Sequence, residues 1–262
     1  LFYRSTRRVV LTEAGQTFLQ HCQRLQDARE EALRAVGDLG SEPKGLLRMT
    51  CAVAYGERFI VPLVTEFMTR HPQLRVDIEL SNRTLDLLHE GLDLAIRLGR
   101  LQDSRLVATR LAPRQMYLCA APEYLQRYGR PHSLSELGRH NCLVGSTEVW
   151  SFQVNGQEAS QRVQGNWRCN SGQAVLDAAL RGLGLCQLPD YYVLEHLRSG
   201  ALVSLLDNQQ PPDTAVWALY PQQRHLSPKV RQLVDYLKQG LGQRNEYRQQ
   251  QNVTATQGTS SA

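Results

Sequence analysis

The stretch from Gly45 to Phe67, GLLRMTCAVAYGERFIVPLVTEF, constrains the fold most, because its hydrophobic period changes part-way along. Leu47, Met49 and Cys51 alternate with Arg48 and Thr50, the pattern of a strand. Phe59, Ile60, Leu63, Val64, Phe67 and Met68 then recur at three and four, so a helix follows, with Pro62 tolerated in its opening turns. Ala52, Val53 and Ala54 and a turn expected at Gly56 join the two. A strand feeding a helix leaves backbone N–H groups and a positive dipole end at the junction, where a small anion can sit. Residues 52–56 are therefore the first candidate for a ligand-contacting corner, although every α/β unit has such a turn.

The chain on either side extends this pattern. Downstream, LRVDIEL at 74–80 alternates as a half-buried strand, Leu85, Leu87 and Leu88 suggest a short helix stopped at Gly91, and DLAI at 93–96 is a compact apolar strand ended by Arg97, Leu98 and Gly99. Alternating strands and helices imply a parallel sheet with helices on its faces. Upstream, LFYRSTRRVVL at 1–11 reads as two short apolar strands around a basic tip, Arg4 to Arg8. The tip's arginines, with Ser5 and Thr6, suit phosphate oxygens or a narrow minor groove; a solvated basic turn is the plain alternative.

Thr12 stands where an N-cap should, and Ala14, Phe18, Cys22, Leu25, Ala28 or Arg29, Ala32 and Val36 follow at steps of three and four. A helix over 12–36, on the order of 37 Å long, carries one apolar stripe that needs a partner. Dimerisation through this stripe and packing onto the chain's own body both satisfy it. GDLGSEPKG at 37–45 then reads as a hinge.

Composition narrows the function. The 262 residues, 42% hydrophobic, allow one large or two small domains with real cores. No apolar run approaches the roughly 18 residues of a spanning helix, and the sequence starts at Leu1 without a signal-peptide pattern, so a piece of a longer cytoplasmic chain is expected. The net charge is +5, and all of the 30 basic residues except Lys44, Lys229 and Lys238 are arginines, a balance that permits nucleic-acid contact without demanding it. Cys22, Cys51, Cys119, Cys142, Cys169 and Cys186 form no CxxC pair and read as buried reduced thiols in preference to a disulfide or a redox switch. Ser146, Ser171, His140 and His196 are scattered without a nucleophile elbow, so no catalytic residue, metal site or cofactor is expected.

The remaining chain repeats the strand and helix theme. RLVATRLA (105–112) and QMYLCAA (115–121) are strand candidates with Pro113 between them, followed by a helix at 122–129. Asn155-Gly156 marks a hairpin between WSFQV and QEASQRVQGNW. Asn170 or Ser171 can cap a helix at 172–181, LGLCQL is a strand running into Pro189 and another helix, TAVWALY (214–220) is a return strand, and Ser227-Pro228 opens a last helix. Residues 243–262 are too poor in apolar groups to fold and are expected to be a disordered tail.

Several segments together resemble a LysR-type transcriptional regulator. They are RSTRRVVLTEAG at 4–15, the long helix after it, GLLRMTCAVAYG, EGLDLAIRLG at 90–99, CAAPEYLQRYGRP at 119–131, GLGLCQLPDYYV at 182–193 and SPKVRQLVDYL at 227–237. The resemblance covers about residues 1–242. It implies an α/β, two-lobed effector domain like a type 2 periplasmic binding protein, preceded by a linker helix and the remnant of a winged helix-turn-helix.

On this chain, residues 1–11 become the wing, with Arg4, Ser5, Thr6, Arg7 and Arg8 on DNA, and 12–36 the dimerising linker. Residues 37–44 become the hinge, 45–116 with 220–242 lobe I, and 117–219 lobe II. The helices that enter the major groove are expected upstream of Leu1. Effector contacts are implied at Ala54, Tyr55, Ser81, Asn82, Arg83, Arg97, Gly99, Gly145, Ser146, Asn170, Ser171 and Leu188. Related sequences often carry a proline and a serine where this chain has Val53 and Ala54, which leaves Arg97 to supply charge, unless Arg97 instead pairs with Asp93 or Asp103. The implied function is ligand-responsive transcription regulation as a homodimer or homotetramer, with promoter DNA and a small-molecule effector in a cleft between lobes. A transporter's solute-binding protein, or a headless module that only senses and dimerises, are the alternatives.

Overall fold

The computed structural model describes residues 1–4, 9–19, 21, 22, 24, 25, 42–83, 86–99, 101, 106–211, 214–222 and 226–258. At the N-terminus β1 (Phe2–Arg4) and β2 (Val9–Leu11) pair antiparallel, Phe2 opposite Leu11 and Arg4 opposite Val9. Ser5, Thr6, Arg7 and Arg8 lie outside the described residues. The helix that follows, α1, is described at 13–19, 21, 22, 24 and 25. Thr12 caps it, its Oγ1 accepting from the Gly15 N–H at 3.0 Å. Phe18 and Leu25, two members of the expected apolar stripe, are 55% and 70% exposed. The Arg24 guanidinium donates to the Leu88 carbonyl at 2.9 Å, tying α1 to the turn at 87–91. The rest of the expected linker, 26–36, falls outside the described residues.

The chain divides into two compact units. The first comprises Leu1–Arg97, Gln102–Thr109 and Trp217–Gly240. Its heart is β3 (Gly45–Cys51), which lies between β4 (Leu74–Leu80) and β5 (Leu94–Gly99) and runs parallel to both. With β6 (Leu106–Arg114) and β12 (Thr214–Pro221) the sheet order is β4-β3-β5-β12-β6. Leu47, Met49 and Cys51 are buried, as the alternation requires, and so are Leu94, Ala95 and Ile96. Helix α3 (Val61–Arg70) buries Leu63, Val64 and Phe67, and α7 (Pro228–Gly258) buries Val230, Leu233, Val234 and Leu237. At Gly240 an added Cβ would lie 2.7 Å from Leu63 Cδ2, so any side chain there would have to displace Leu63 where α7 meets α3.

Gly56 is not a turn. Helix α2 (Val53–Tyr55) already begins before it and passes through a π-helical stretch, Gly56–Ile60, into α3, with Gly56 at φ −58 and ψ −57. The reason for glycine is steric. A Cβ there would meet Leu80 Cδ2 at 2.5 Å and Cys51 Sγ at 3.3 Å, so the residue lets the helix lie against the ends of β3 and β4. Pro62 stands in the first turn of α3, directly after the π-helical stretch.

The second unit comprises Leu98–Leu101, Arg110–Val216 and Leu241–Ala262. Here β7 (Met116–Ala120) is central, antiparallel to β10 (Cys186–Pro189) on one side and β11 (Val203–Leu205) on the other. One core holds Leu118, Tyr124 of α4 (Pro122–Tyr128), Trp150, Phe152 and Leu185. A second holds Cys119, Cys186, Leu188, Val175 and Ala179 of α5 (Gly172–Leu180) and Val193 of α6 (Asp190–Arg198). The hairpin of β8 (Val149–Val154) and β9 (Gln157–Arg162) turns on Asn155 and Gly156 at φ 51 and 79, the left-handed pair that Asn-Gly supplies.

Two expectations change. Pro113 lies inside β6 and does not separate two strands. Helix α7 continues past Gln243 to Gly258, where no folded structure was expected. Scarcity of apolar groups argues against a packed core, not against a helix, and Gln, Arg and Glu are good helix formers. Replacing Gly56 by Ala should destabilise the chain by about 1–3 kcal/mol through overpacking, read as a lowered urea midpoint; an unchanged midpoint would show that Leu80 simply moves aside.

Candidate functional site

The parallel register brings the carboxyl ends of three strands together: Cys51 lies beside Leu80 of β4 and Ile96 of β5. Ligands of open parallel sheets bind outside such ends. Ser81 donates its N–H to the Cys51 carbonyl at 2.8 Å, and Arg83 donates its N–H to Ser81 Oγ at 3.3 Å. Asn82 Oδ1 accepts from the Val53 N–H at 3.1 Å, and Arg97 Nη2 donates to the Arg83 carbonyl at 3.2 Å. Thus Ser81, Asn82, Arg83 and Arg97 are laced to one another and to the start of α2. Ala54 is half-buried beside them, while Tyr55 is only 6% exposed, its ring 4.8 Å from that of Phe59. Of the backbone N–H groups at the 52–56 junction, that of Val53 is engaged by Asn82.

Electrostatics single out Arg97. Burial lowers its pKa, offset by the neighbouring Cys51 and Glu79. The Cys51 thiol beneath is pushed up to about 12 by burial, against the lowering effect of Arg97 and the Ala52 backbone. Asp93 is not the partner of Arg97. Its Oδ2 accepts from the Arg48 N–H at 2.8 Å and lies 3.5 Å from Lys229 Nζ, which also donates to the Leu46 carbonyl. Asp103 falls outside the described residues. The sequence marks Cys51 only as a core thiol; its place as the last residue of β3 brings it to this corner.

In the second unit the named residues gather around a short parallel bridge between Val144 and Arg168. The Cys169 N–H donates to the Val144 carbonyl at 2.9 Å, which sets Gly145 and Ser146 beside Asn170 and Ser171. Ser171 Oγ accepts from the Ala174 N–H at 3.4 Å and caps α5; Ser146, Asn170 and Ser171 are exposed. Leu188 is different: it is buried, opposite Tyr117 in the β10–β7 register. Gly99, at φ 97, ends β5.

Residues 40–242 match the family described as the LysR substrate binding domain. The chain belongs to the LysR family of transcriptional regulators. It is 36% identical over 255 residues to the HTH-type transcriptional activator TtdR of Escherichia coli, an alignment covering 94% of this chain and 82% of TtdR. An HTH-type transcriptional regulator of Xanthomonas campestris is 36% identical over 245 residues, covering 90% of this chain and 71% of that one. Among solved structures, the full-length Vibrio cholerae virulence activator AphB is 27% identical with a TM-score of 0.66, covering 90% of this chain and 82% of AphB. CrgA of Neisseria meningitidis is 29% identical with a TM-score of 0.64, covering 92% and 84%. The LysR chain accordingly has the α/β, two-lobed, periplasmic-binding-protein-like effector domain of these regulators.

The buried thiols of this LysR domain give it an alkaline signature. Cys51 and Cys142 hold their protons to about 12 when folded, against 9.0 for an ordinary thiol. The unfolded chain therefore binds fewer protons across that window, and stability falls as pH rises through it. Urea midpoints should decline from about pH 9 upward, and Cys51→Ala should make the decline shallower; an identical slope in the variant would show that this thiol does not titrate as described.

Proposed function

We propose that this LysR chain is the sensing and dimerising part of a ligand-responsive, DNA-binding transcription regulator acting in the cytoplasm. A small-molecule effector engages the corner around Arg97 and changes the geometry of a homodimer or homotetramer on promoter DNA. The observation that carries this reading is the laced corner at the carboxyl ends of β3, β4 and β5. There a half-buried guanidinium is held by the Arg83 carbonyl at 3.2 Å while Asp93 is engaged elsewhere. Such a group retains donors for an anionic or carbonyl-bearing effector. Gly145, Ser146, Asn170, Ser171 and Leu188 are the effector contacts of the second unit in this reading. An effector shifts the equilibrium between conformations only by its differential affinity for them, so a contact that differs between states is what Arg97 has to supply.

The homologues named above as transcriptional activators and regulators support a regulatory, non-enzymatic role. Among the described residues no helix is long and apolar enough to cross a membrane. The test is a thermal-shift screen of small organic acids followed by Arg97→Ala. The variant should lose the ligand-induced shift while its own melting temperature stays nearly unchanged, whereas a large drop without ligand would make Arg97 structural. For the wing, replacing Arg7 and Arg8 in the DNA-binding form should lower the salt slope of promoter affinity by about one unit per lost phosphate contact. An unchanged slope would remove them from the DNA interface.

A further inference from the structure

Cys119 and Cys186 face one another across the antiparallel pair β7 and β10 as direct register partners, with their Sγ atoms 3.5 Å apart. Both are 0% exposed. In the same register the Asp190 N–H donates to the Gln115 carbonyl at 2.8 Å, and counting back by alternation puts Cys186 and Cys119 at a hydrogen-bonded pair position. Such positions have Cα atoms about 5.5 Å apart, inside the roughly 4.4–6.8 Å that a disulfide spans. Closing the sulfurs from 3.5 Å to about 2.05 Å asks for side-chain rotation and for the Cβ atoms to approach from the roughly 4.5–5.5 Å of opposed strand residues to the roughly 3.5–4.5 Å of a disulfide.

We propose that Cys119 and Cys186 form a redox modification site, a dithiol that a hydroperoxide converts into an intrachain disulfide. One thiol, as its thiolate, attacks the peroxide; the O–O bond breaks, the sulfur becomes a sulfenic acid and the alcohol, or water from hydrogen peroxide, departs. The second sulfur then attacks the sulfenic sulfur, the S–S bond forms and water leaves with the hydroxyl oxygen. The two thiols give up two electrons and two protons in all, and the peroxide takes them up.

Burial shapes how such a site behaves. The contact with Cys119 and burial together hold the Cys186 thiol protonated, so attack occurs during local openings of the unit and not from the closed fold. The site therefore answers to sustained, small hydroperoxides and resists bulky disulfide reagents. Its position gives the bond a route outward. Cys119, Cys186, Leu188, Val175 and Ala179 share one core, and α5, which carries Val175 and Ala179, is capped by Ser171. A tightened β7–β10 pair is felt at Leu188 and at the start of α5, which are effector contacts if the proposed function holds; formation of the bond itself does not depend on that reading.

The full chain is treated with hydrogen peroxide under native conditions, quenched, denatured, alkylated with iodoacetamide and digested for mass spectrometry. The expected result is a joined peptide pair containing Cys119 and Cys186, lighter by two hydrogens and separated again by dithiothreitol. Cys142, whose Sγ lies 3.6 Å from the Leu137 carbonyl, should stay alkylated. Cys119→Ala should abolish the joined pair. The proposal is overturned if both thiols remain alkylatable while Cys22 or Cys169 oxidises, or if the Cys119–Cys186 link appears only when peroxide is added in urea.

Discussion

Everything in the first unit depends on β3 lying parallel between β4 and β5. That pairing buries Leu47, Met49 and Cys51 completely and fixes three strand ends level with one another. Because parallel strands present their carboxyl ends on the same side, the loops that leave them must share one corner. Ser81, Asn82, Arg83 and Arg97 come together for this reason and not through any local motif. The helix that leaves β3 lies against this corner at Gly56, where a Cβ would meet Leu80 Cδ2 at 2.5 Å and Cys51 Sγ at 3.3 Å. The π-helical stretch directly after α2 is the kind of irregularity that accompanies functional sites.

The second unit solves the same problem with antiparallel pairing. Its central strand β7 separates two cores, one of Tyr124, Trp150 and Phe152 and the other of cysteines, small residues and α5. Small side chains allow close packing beneath α5, and this brings two thiols into contact. The polar residues around the Val144–Arg168 bridge are held by backbone hydrogen bonds, so their positions are set by the core beneath them. The packing of each core means that its elements shift as wholes and not residue by residue.

Arg24 ties α1 to the body of the first unit. Its guanidinium donates to the Leu88 carbonyl in the turn at 87–91, which Asp86 opens by accepting from the Leu88 N–H at 3.0 Å. The contact therefore joins α1 to the body through backbone electrostatics and leaves Phe18 and Leu25 facing solvent in the single chain.

By itself the sequence determined the elements: the periods of β3 and α3, the Asn155-Gly156 hairpin, the Thr12 cap, a cap for α5 at Asn170 or Ser171, and the family carried by the spaced motifs. These are local properties, written in side-chain alternation and turn chemistry. Tertiary structure decided what local patterns cannot encode. Gly56 reads as a turn until Leu80, distant in sequence, is placed against it. Asp93 was as good a partner for Arg97 as any, until Lys229 arrived from α7. Six scattered cysteines carry no pairing information, and only the register of β10 on β7 puts Cys186 opposite Cys119. Each of these outcomes is a contact between residues far apart along the chain, fixed by packing and strand register.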